Sequence, residues 1–277
     1  MAASAGGAAD GDVVWVVLPT YDEVDNLGVV VSRLREALAS AGVSRHSILI
    51  VDDASPDGTG ALADRLAAEH RDVIVLHRPV KRGIGAAYAA GFDHALRRGA
   101  ELVVQMDADL SHDPADVPRL IAACRDGADV AVGSRYVAGG GIAGWSAGRR
   151  ALSRLGSWYA RRTLSVGVRD LTGGFKCFTG PALRRVAYGA VRARGYAFQV
   201  ETTHRAIVAG LTVVEIPIVF TERRRGTSKM TAAIALEAAW AVPLLRRRRR
   251  PAVQHRPAGR PGRQRSGEGE ERPPLPG

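Results

Sequence analysis

At 277 residues, with 46% hydrophobic and 24% charged side chains, the chain has the composition of a globular protein with one large or two small domains, which excludes a disordered or fibrous class. A formal net charge of +11 invites a nucleic-acid partner, but ten Arg against three Glu between Arg246 and Gly277 put +7 of it in one terminal stretch. The rest carries about +4, an ordinary balance, so the basicity belongs to a Pro-, Gly- and Arg-rich tail (246–277) expected to be disordered.

From the N-terminus, residues 1–12 read as a flexible, small and acidic leader without the apolar core of a signal peptide. "VVWVVL" (13–18) is a continuous apolar run ended by Pro19, the mark of a parallel strand covered on both faces. Leu27, Val30, Val31, Leu34 and Leu38 then repeat at helical spacing up to Gly42. "HSILIVDD", "DVIVLHRP", "ELVVQMDAD" and "ADVAVGSRY" predict four more strands, and "GTGALADRLAAEH", "GIGAAYAAGFDHALRRG" and "PADVPRLIAACRDG" the helices between them. Such alternation implies βαβ units in a single α/β domain (13–229) with a doubly wound, mostly parallel sheet.

The second half is less regular. A glycine-rich loop, "GGGIAG", precedes a helix carrying Arg149, Arg150, Arg154, Arg161 and Arg162. "DLTGGFKCFTG" reads as turns, "GYAFQVETTHRAIVAG" as a helix, "LTVVEIPIVF" as one strand and "TERRRGTSK" as a basic loop. The apolar segment 230–245 contains Glu237 and Pro243 and is shorter than the roughly 20 residues a membrane span needs, so it reads as an interfacial helix or one packed on the domain. Cys124 and Cys177 have neither metal-site nor disulfide spacing, which makes a reducing cytosol the default.

In a doubly wound sheet the ligand crevice lies at the carboxyl ends of the strands. The polar loops "PTYDE", "DDASPDGT", "DADLSHDP" and "GSRY" all fall there. Asp107 and Asp109, one residue apart at a strand exit, suit a hard divalent cation bridging a diphosphate, or else a solvated turn in which Asp113 caps the following helix. Tyr21 offers a ring to stack on a base, Glu23 and Asp53 offer acceptors, and Asp57 shapes its loop. "KRGIGAAYAAG" lacks GxGxxG and Walker spacing, so its glycines serve a tight helix start and close packing. Two basic groups, Arg135/Arg149/Arg150/Arg154 and Arg223 to Arg225 with Lys229, flank the acidic pair and suggest two phosphate-bearing ligands; Arg161 and Arg162 read as solvated surface.

With "VVLPTYDEVDNL", "ILIVDDASPDGTG", "QMDADLSHDP", "VGSRY", "DLTGGFKCF", "GYAFQVE", "VEIPIVF" and "RRRGTSK" in this order, the chain from about residue 13 to about 240 resembles the dolichol- or polyprenol-phosphate mannosyltransferases of glycosyltransferase family 2. The resemblance implies a nucleotide-diphospho-sugar transferase fold of GT-A type and transfer of mannose from GDP-mannose to a polyprenyl phosphate, with inversion and with Mg²⁺ or Mn²⁺. It implies nucleotide-sugar contacts at Pro19, Tyr21, Glu23, Val51, Asp53, Asp107, Ala108, Asp109, Arg223 and Lys229, with metal at Asp107 and Asp109. Arg135, Arg149 and Ser153 match acceptor-phosphate positions, and Asp109, Arg135, Arg149 and Asp170 are the catalytic candidates. Some relatives have Gln as a third metal ligand where this chain has Ser111. It also implies a peripheral location at the cytoplasmic face of a membrane, with a membrane-anchoring protein as one means of attachment. The rivals are a polyprenyl-phosphate glucosyltransferase using UDP-glucose and, from a different class, a nucleic-acid-binding protein acting through the tail.

Overall fold

The computed structural model describes residues 12–191, 196–222, 242, 243 and 245. Its first half follows the expected alternation: β1 Val14–Thr20, α1 Val24–Ser40, β2 His46–Asp52, α2 Thr59–Glu69, β3 Val73–His77, α3 Ile84–Arg97, β4 Leu102–Gln105, α4 Val117–Arg125 and β5 Val130–Ser134. β6 Gly141–Ala143, α5 Ala147–Leu164, β7 Lys176–Thr179, α6 Gly180–Val186, α7 Tyr196–Val208, β8 Val213–Pro217 and β9 Val219–Thr221 follow. Seven strands form one sheet in the order β3-β2-β1-β4-β7-β5-β8, parallel except for β7, which runs antiparallel to both its neighbours.

Each face of the sheet is covered by helices because both faces of its strands are apolar. Leu27, Val30, Val31, Leu34 and Leu38 of α1 pack with Leu120 and Ile121 of α4 on one face. Tyr88 and Phe92 of α3 pack with Leu183 of α6 and Phe198 of α7 on the other. The glycines of α3 do what their context predicts. Gly83 starts the helix at φ +91°, and a Cβ on Gly91 would run into Val17 Cγ1 and lie 3.1 Å from Val51 Cγ2. Only a glycine allows α3 to lie this close to the sheet.

Three expectations change. "DLTGGFKCFTG" is not all turn: its last part is β7, inserted between β4 and β5. "LTVVEIPIVF" is two strands, because Pro217 has no N–H to carry a ladder onward. After it, β9 leaves the main sheet and pairs with β6, inside the stretch read as a glycine-rich loop. At the far end of the 230–245 segment, Val242 and Leu245 are buried against Ala160, Leu164 and Val168, so there the segment faces the domain. The rest of it, and the tail 246–277, lie outside the described residues.

The sheet order also places the crevice. From β1 the chain proceeds outward through β2 and β3, then returns to add β4 on the opposite side. The exits of β1 and β4 are therefore neighbours, and loops there diverge to leave a gap.

Candidate active site

A cleft of about 290 Å³ opens at this point. Pro19, Tyr21 and Glu23 line it from the β1 exit, Asp53 from the β2 exit, Asp107, Ala108, Asp109 and His112 from the β4 exit, and Arg135 from the β5 exit. The chain bends sharply into it: Asp22, Ala54 and Leu110 all adopt left-handed conformations, at φ 58°, 56° and 62°. Non-glycine residues seldom do so, and such strain concentrates at functional loops.

The turn at Leu110 has a direct effect on the acidic pair. It brings Ser111 back so that its N–H and hydroxyl both donate to Asp109 Oδ1, at 3.0 and 2.5 Å. Ser111 thus orients a carboxylate. Asp107 Oδ1 accepts from the Tyr88 hydroxyl at 2.6 Å, and the Asp107 N–H donates to His112 Nδ1 at 3.3 Å. That bond leaves the imidazole proton on Nε2, and burial pushes the His112 pKa down, so the ring is neutral. Asp113 does not join the pair: it caps the turn at Pro114–Asp116 through Ala115 N–H and pairs with Arg33 at 3.0 Å.

Among the described residues no three His, Cys, Asp or Glu side chains converge into a metal cage. Two carboxylates alone suit a cation such as Mg²⁺ or Mn²⁺ that takes its remaining ligands from phosphate and water.

At the opposite wall Arg135 is held by Asp170. Its Nε and Nη2 donate to the two carboxylate oxygens at 2.7 Å each, its backbone N–H donates at 3.0 Å, and Nη2 also donates to Thr172 Oγ1 at 2.7 Å. Burial alone would raise the Asp170 pKa; the Arg135 guanidinium and its hydrogen bonds outweigh this and lower it. Glu215 of β8 fixes the loop from below by accepting the N–H groups of Arg169 and Asp170, at 2.7 and 2.9 Å.

The sequence-derived candidates therefore separate. Pro19, Tyr21, Glu23, Asp53, Asp107, Ala108, Asp109 and Arg135 share one cleft. Val51 has its side chain in the core beneath α3, not in the cleft. Asp170 is fully buried behind Arg135, which it holds, and does not itself line the cleft. Arg149 is at the rim, paired with Glu222 at 2.7 Å and stacked 4.1 Å over Trp145, whose ring lines the cleft. Ser153 shares a 2.6 Å hydrogen bond with the Tyr136 hydroxyl. Arg223 and Lys229 lie outside the described residues. Asp57 shapes its loop as expected, accepting from Thr59 and from the Val24 N–H.

Several lining residues had no sequence-derived role. Lys81 sits 3.3 Å over the Tyr21 ring, and Arg78 pairs with Asp53, so two groups expected to meet a base already have protein partners. Gln199 is held by Gln105 at 2.6 Å and by Lys176 at 3.0 Å. "GGFK" and "FQVE" stood out as motifs, but nothing in their spacing shows that Lys176 lies under the floor of the cleft and bonds Gln199 there.

Comparison with known proteins agrees with this geometry. Residues 15–191 match the family model described as Glycosyl transferase family 2. The polyprenol monophosphomannose synthase of Mycolicibacterium smegmatis is 47% identical over 228 residues, covering 82% of this chain and 84% of the relative. The undecaprenyl-phosphate mannosyltransferase of Micrococcus luteus is 44% identical over 225 residues, covering 81% and 90%. A solved mannosyltransferase from Pyrobaculum calidifontis, in complex with GDP-Man and Mn²⁺, shares the fold at TM-score 0.53 and 19% identity, over 84% of this chain and 72% of that one. With the loops of β1, β2, β4 and β5 meeting at one acid-lined cleft, and with these relatives, the chain belongs to glycosyltransferase family 2.

Proposed function

We propose that the chain transfers mannose from GDP-mannose to a polyprenyl monophosphate, inverting the anomeric centre. The observation that carries this reading is that an acidic pair, Asp107 and Asp109, and a buried arginine, Arg135, line one cleft in a chain 44–47% identical to two polyprenyl-phosphate mannose-transferring enzymes. The acids suit the donor end and the arginine suits an anionic acceptor.

Asp107 and Asp109 would hold a divalent cation, Mg²⁺ or Mn²⁺, which when bound neutralises charge on the diphosphate as it leaves. Tyr88 and Ser111 keep the two carboxylates turned toward the cleft. Arg135, already oriented by Asp170, steadies the acceptor phosphate. One phosphate oxygen forms the new bond to the anomeric carbon, and GDP leaves with the electron pair of the bond that breaks. A phosphate monoester is anionic near neutral pH, so it needs no general base; catalysis is positioning and charge stabilisation. The acceptor locates the reaction at a membrane surface, reached by the chain itself or through a membrane-anchored partner. Among the described residues no helix is long and apolar enough to cross a membrane.

The test is transfer of labelled mannose from GDP-mannose to a short polyprenyl phosphate with Mg²⁺, with Mn²⁺ and with EDTA. The expected result is a metal-dependent lipid product absent with Asp109→Ala. A product formed from UDP-glucose and not from GDP-mannose overturns the donor assignment.

A further inference from the structure

Gly174 forms part of the cleft floor, and three side chains converge on the point beside its Cα where another residue would carry a Cβ. That point lies 3.4 Å from Gln199 Nε2, 3.4 Å from Asp107 Oδ2 and 3.6 Å from His112 Cε1. Because residue 174 is glycine, no protein atom stands between these three groups.

The Gln199 amide is aimed from beneath. Its Oε1 accepts from Gln105 Nε2 at 2.6 Å and from Lys176 Nζ at 3.0 Å. Gln105 is fixed in turn by donating to the Gly174 carbonyl at 2.8 Å. Lys176 is fixed by donating to the Gln199 carbonyl and to Thr202 Oγ1, at 3.0 and 3.2 Å. Reversing the amide would set its N–H group against two donors, so Nε2 is the end that faces the cleft. Gln199 and His112 are only 4% and 2% exposed. Among the described residues neither Gln199 Nε2 nor the Nε2–H of His112 finds an acceptor, and neither atom is sealed in the core.

Two donors and one carboxylate oxygen around one point select the group that belongs there. A phosphate oxygen would meet the Asp107 carboxylate, and an ammonium would meet two N–H groups. A hydroxyl suits all three neighbours, since it offers one proton and two lone pairs. Asp107 Oδ2 keeps a further lone pair for a cation, so this contact does not compete with a metal. The sheet order says which hydroxyl-bearing part of the donor lies there. Tyr21 and Asp53 stand at the exits of β1 and β2, whereas Gly174 leads into β7, between β4 with Asp107 and β5 with Arg135. The point is on the far side of the acidic pair from the base, toward the residue that steadies the acceptor. The sugar being transferred belongs on that side, and the ribose on the other.

We propose that Gln199, with Asp107 Oδ2 and His112, reads one hydroxyl of the transferred hexose, and that Gln105 and Lys176 are the positioning residues that aim its amide. The proposal rests on the transfer reaction proposed above and names the residue that selects its sugar. A sugar with this hydroxyl in the other configuration leaves buried donors unpaired, and such sites discriminate more strongly than shape alone.

The experiment is calorimetric titration of the full chain, with Mn²⁺, comparing GDP-mannose with GDP and UDP-glucose with UDP. The variants are Gln199→Leu and Gly174→Ala. Gly174 has no left-handed φ and its added methyl makes only ordinary contacts, so the second variant keeps the fold while occupying the hydroxyl's place. The expected result in both is a loss of about two- to tenfold for the sugar nucleotide relative to the nucleotide alone. Among GDP-mannose analogues lacking one hydroxyl each, one should bind the wild type with the same loss and lose nothing further in Gln199→Leu. Wild-type ratios for both nucleotide pairs in both variants overturn the proposal. An equal loss for GDP-mannose and GDP also overturns it, because it puts the contact on the ribose or the metal. If Gln199→Leu no longer binds GDP–Mn²⁺, Gly174→Ala decides alone, and wild-type ratios there overturn the proposal. A shift seen with the UDP-glucose pair and not with the GDP-mannose pair keeps the sugar subsite and refutes the donor assignment. The expected shift in a chain that transfers no sugar to a polyprenyl phosphate keeps the subsite and refutes the reaction.

Discussion

Replacing Asp170 by Asn tests whether the acceptor wall of the cleft is built by one buried ion pair. Asp170 is 0% and Arg135 6% exposed, and the carboxylate accepts three hydrogen bonds from Arg135. An amide is nearly isosteric but turns an N–H toward the guanidinium and leaves the cation without its counter-charge. Breaking a buried pair from one side costs about 3–5 kcal/mol. For a domain of this size that lowers Tm by roughly 6–20 °C. The sign with pH is fixed by the lowered Asp170 pKa. Its stabilisation is complete above the unfolded carboxyl value, about pH 3.9, and fades as pH falls through the folded value. Denaturant unfolding of both proteins should therefore show the full gap at pH 7 and convergence below about pH 4. Mannosyl transfer should fall through the apparent KM for the lipid acceptor while GDP–Mn²⁺ affinity is kept. Wild-type stability at pH 7 together with a wild-type acceptor KM in the Asp170→Asn variant would refute the claim that Asp170 positions Arg135.

Tyr88→Phe removes the donor to Asp107 Oδ1 and nothing else in the cleft, so GDP–Mn²⁺ affinity, measured by calorimetric titration, should drop about tenfold or more, the worth of one hydrogen bond to a charged group. Gly91→Ala drives a methyl into Val17 and Val51 and should destabilise by about 1–3 kcal/mol in denaturant unfolding, without changing the metal dependence of transfer. Burial pushes the Lys176 pKa down to about 7, so the unfolded chain binds one more proton from there up to its ordinary value near 10.4. Lys176 thus makes stability rise with pH across that window. In Lys176→Met this rise should flatten; an unchanged pH profile would show that Lys176 is charged in the folded protein.

Periodicity in the sequence was enough for the alternation β1 to β5, for the helix face of α1 and for the position of a cleft at the strand exits, because those features depend on local patterns of apolar residues. It was enough for the acidic pair as well, since the spacing of Asp107 and Asp109 at the end of an apolar run is visible without knowing their neighbours. β7 was not legible: four residues with a lysine at their head lack a strand's pattern, and they form a strand only because β4 and β5 supply hydrogen bonds on both sides. The division of "LTVVEIPIVF" was legible in Pro217 alone, while the pairing of β9 with β6 required the long-range fold.

Roles within the site divide in the same way. Residue type told that Arg135 and Asp170 matter, and tertiary structure decided that one meets the cleft and the other only holds it. The Val51 side chain points into the sheet core, and Tyr88, Lys176 and Gln199 reach the cleft floor because helix α3, strand β7 and helix α7 bring them there from distant parts of the chain. The sequence by itself determined the chemistry available and the order of the elements, both of which are local properties of the chain. The tertiary structure alone decided which of those groups face one another, because hydrogen bonds and charge pairing act across a few ångströms of space whatever the separation along the chain.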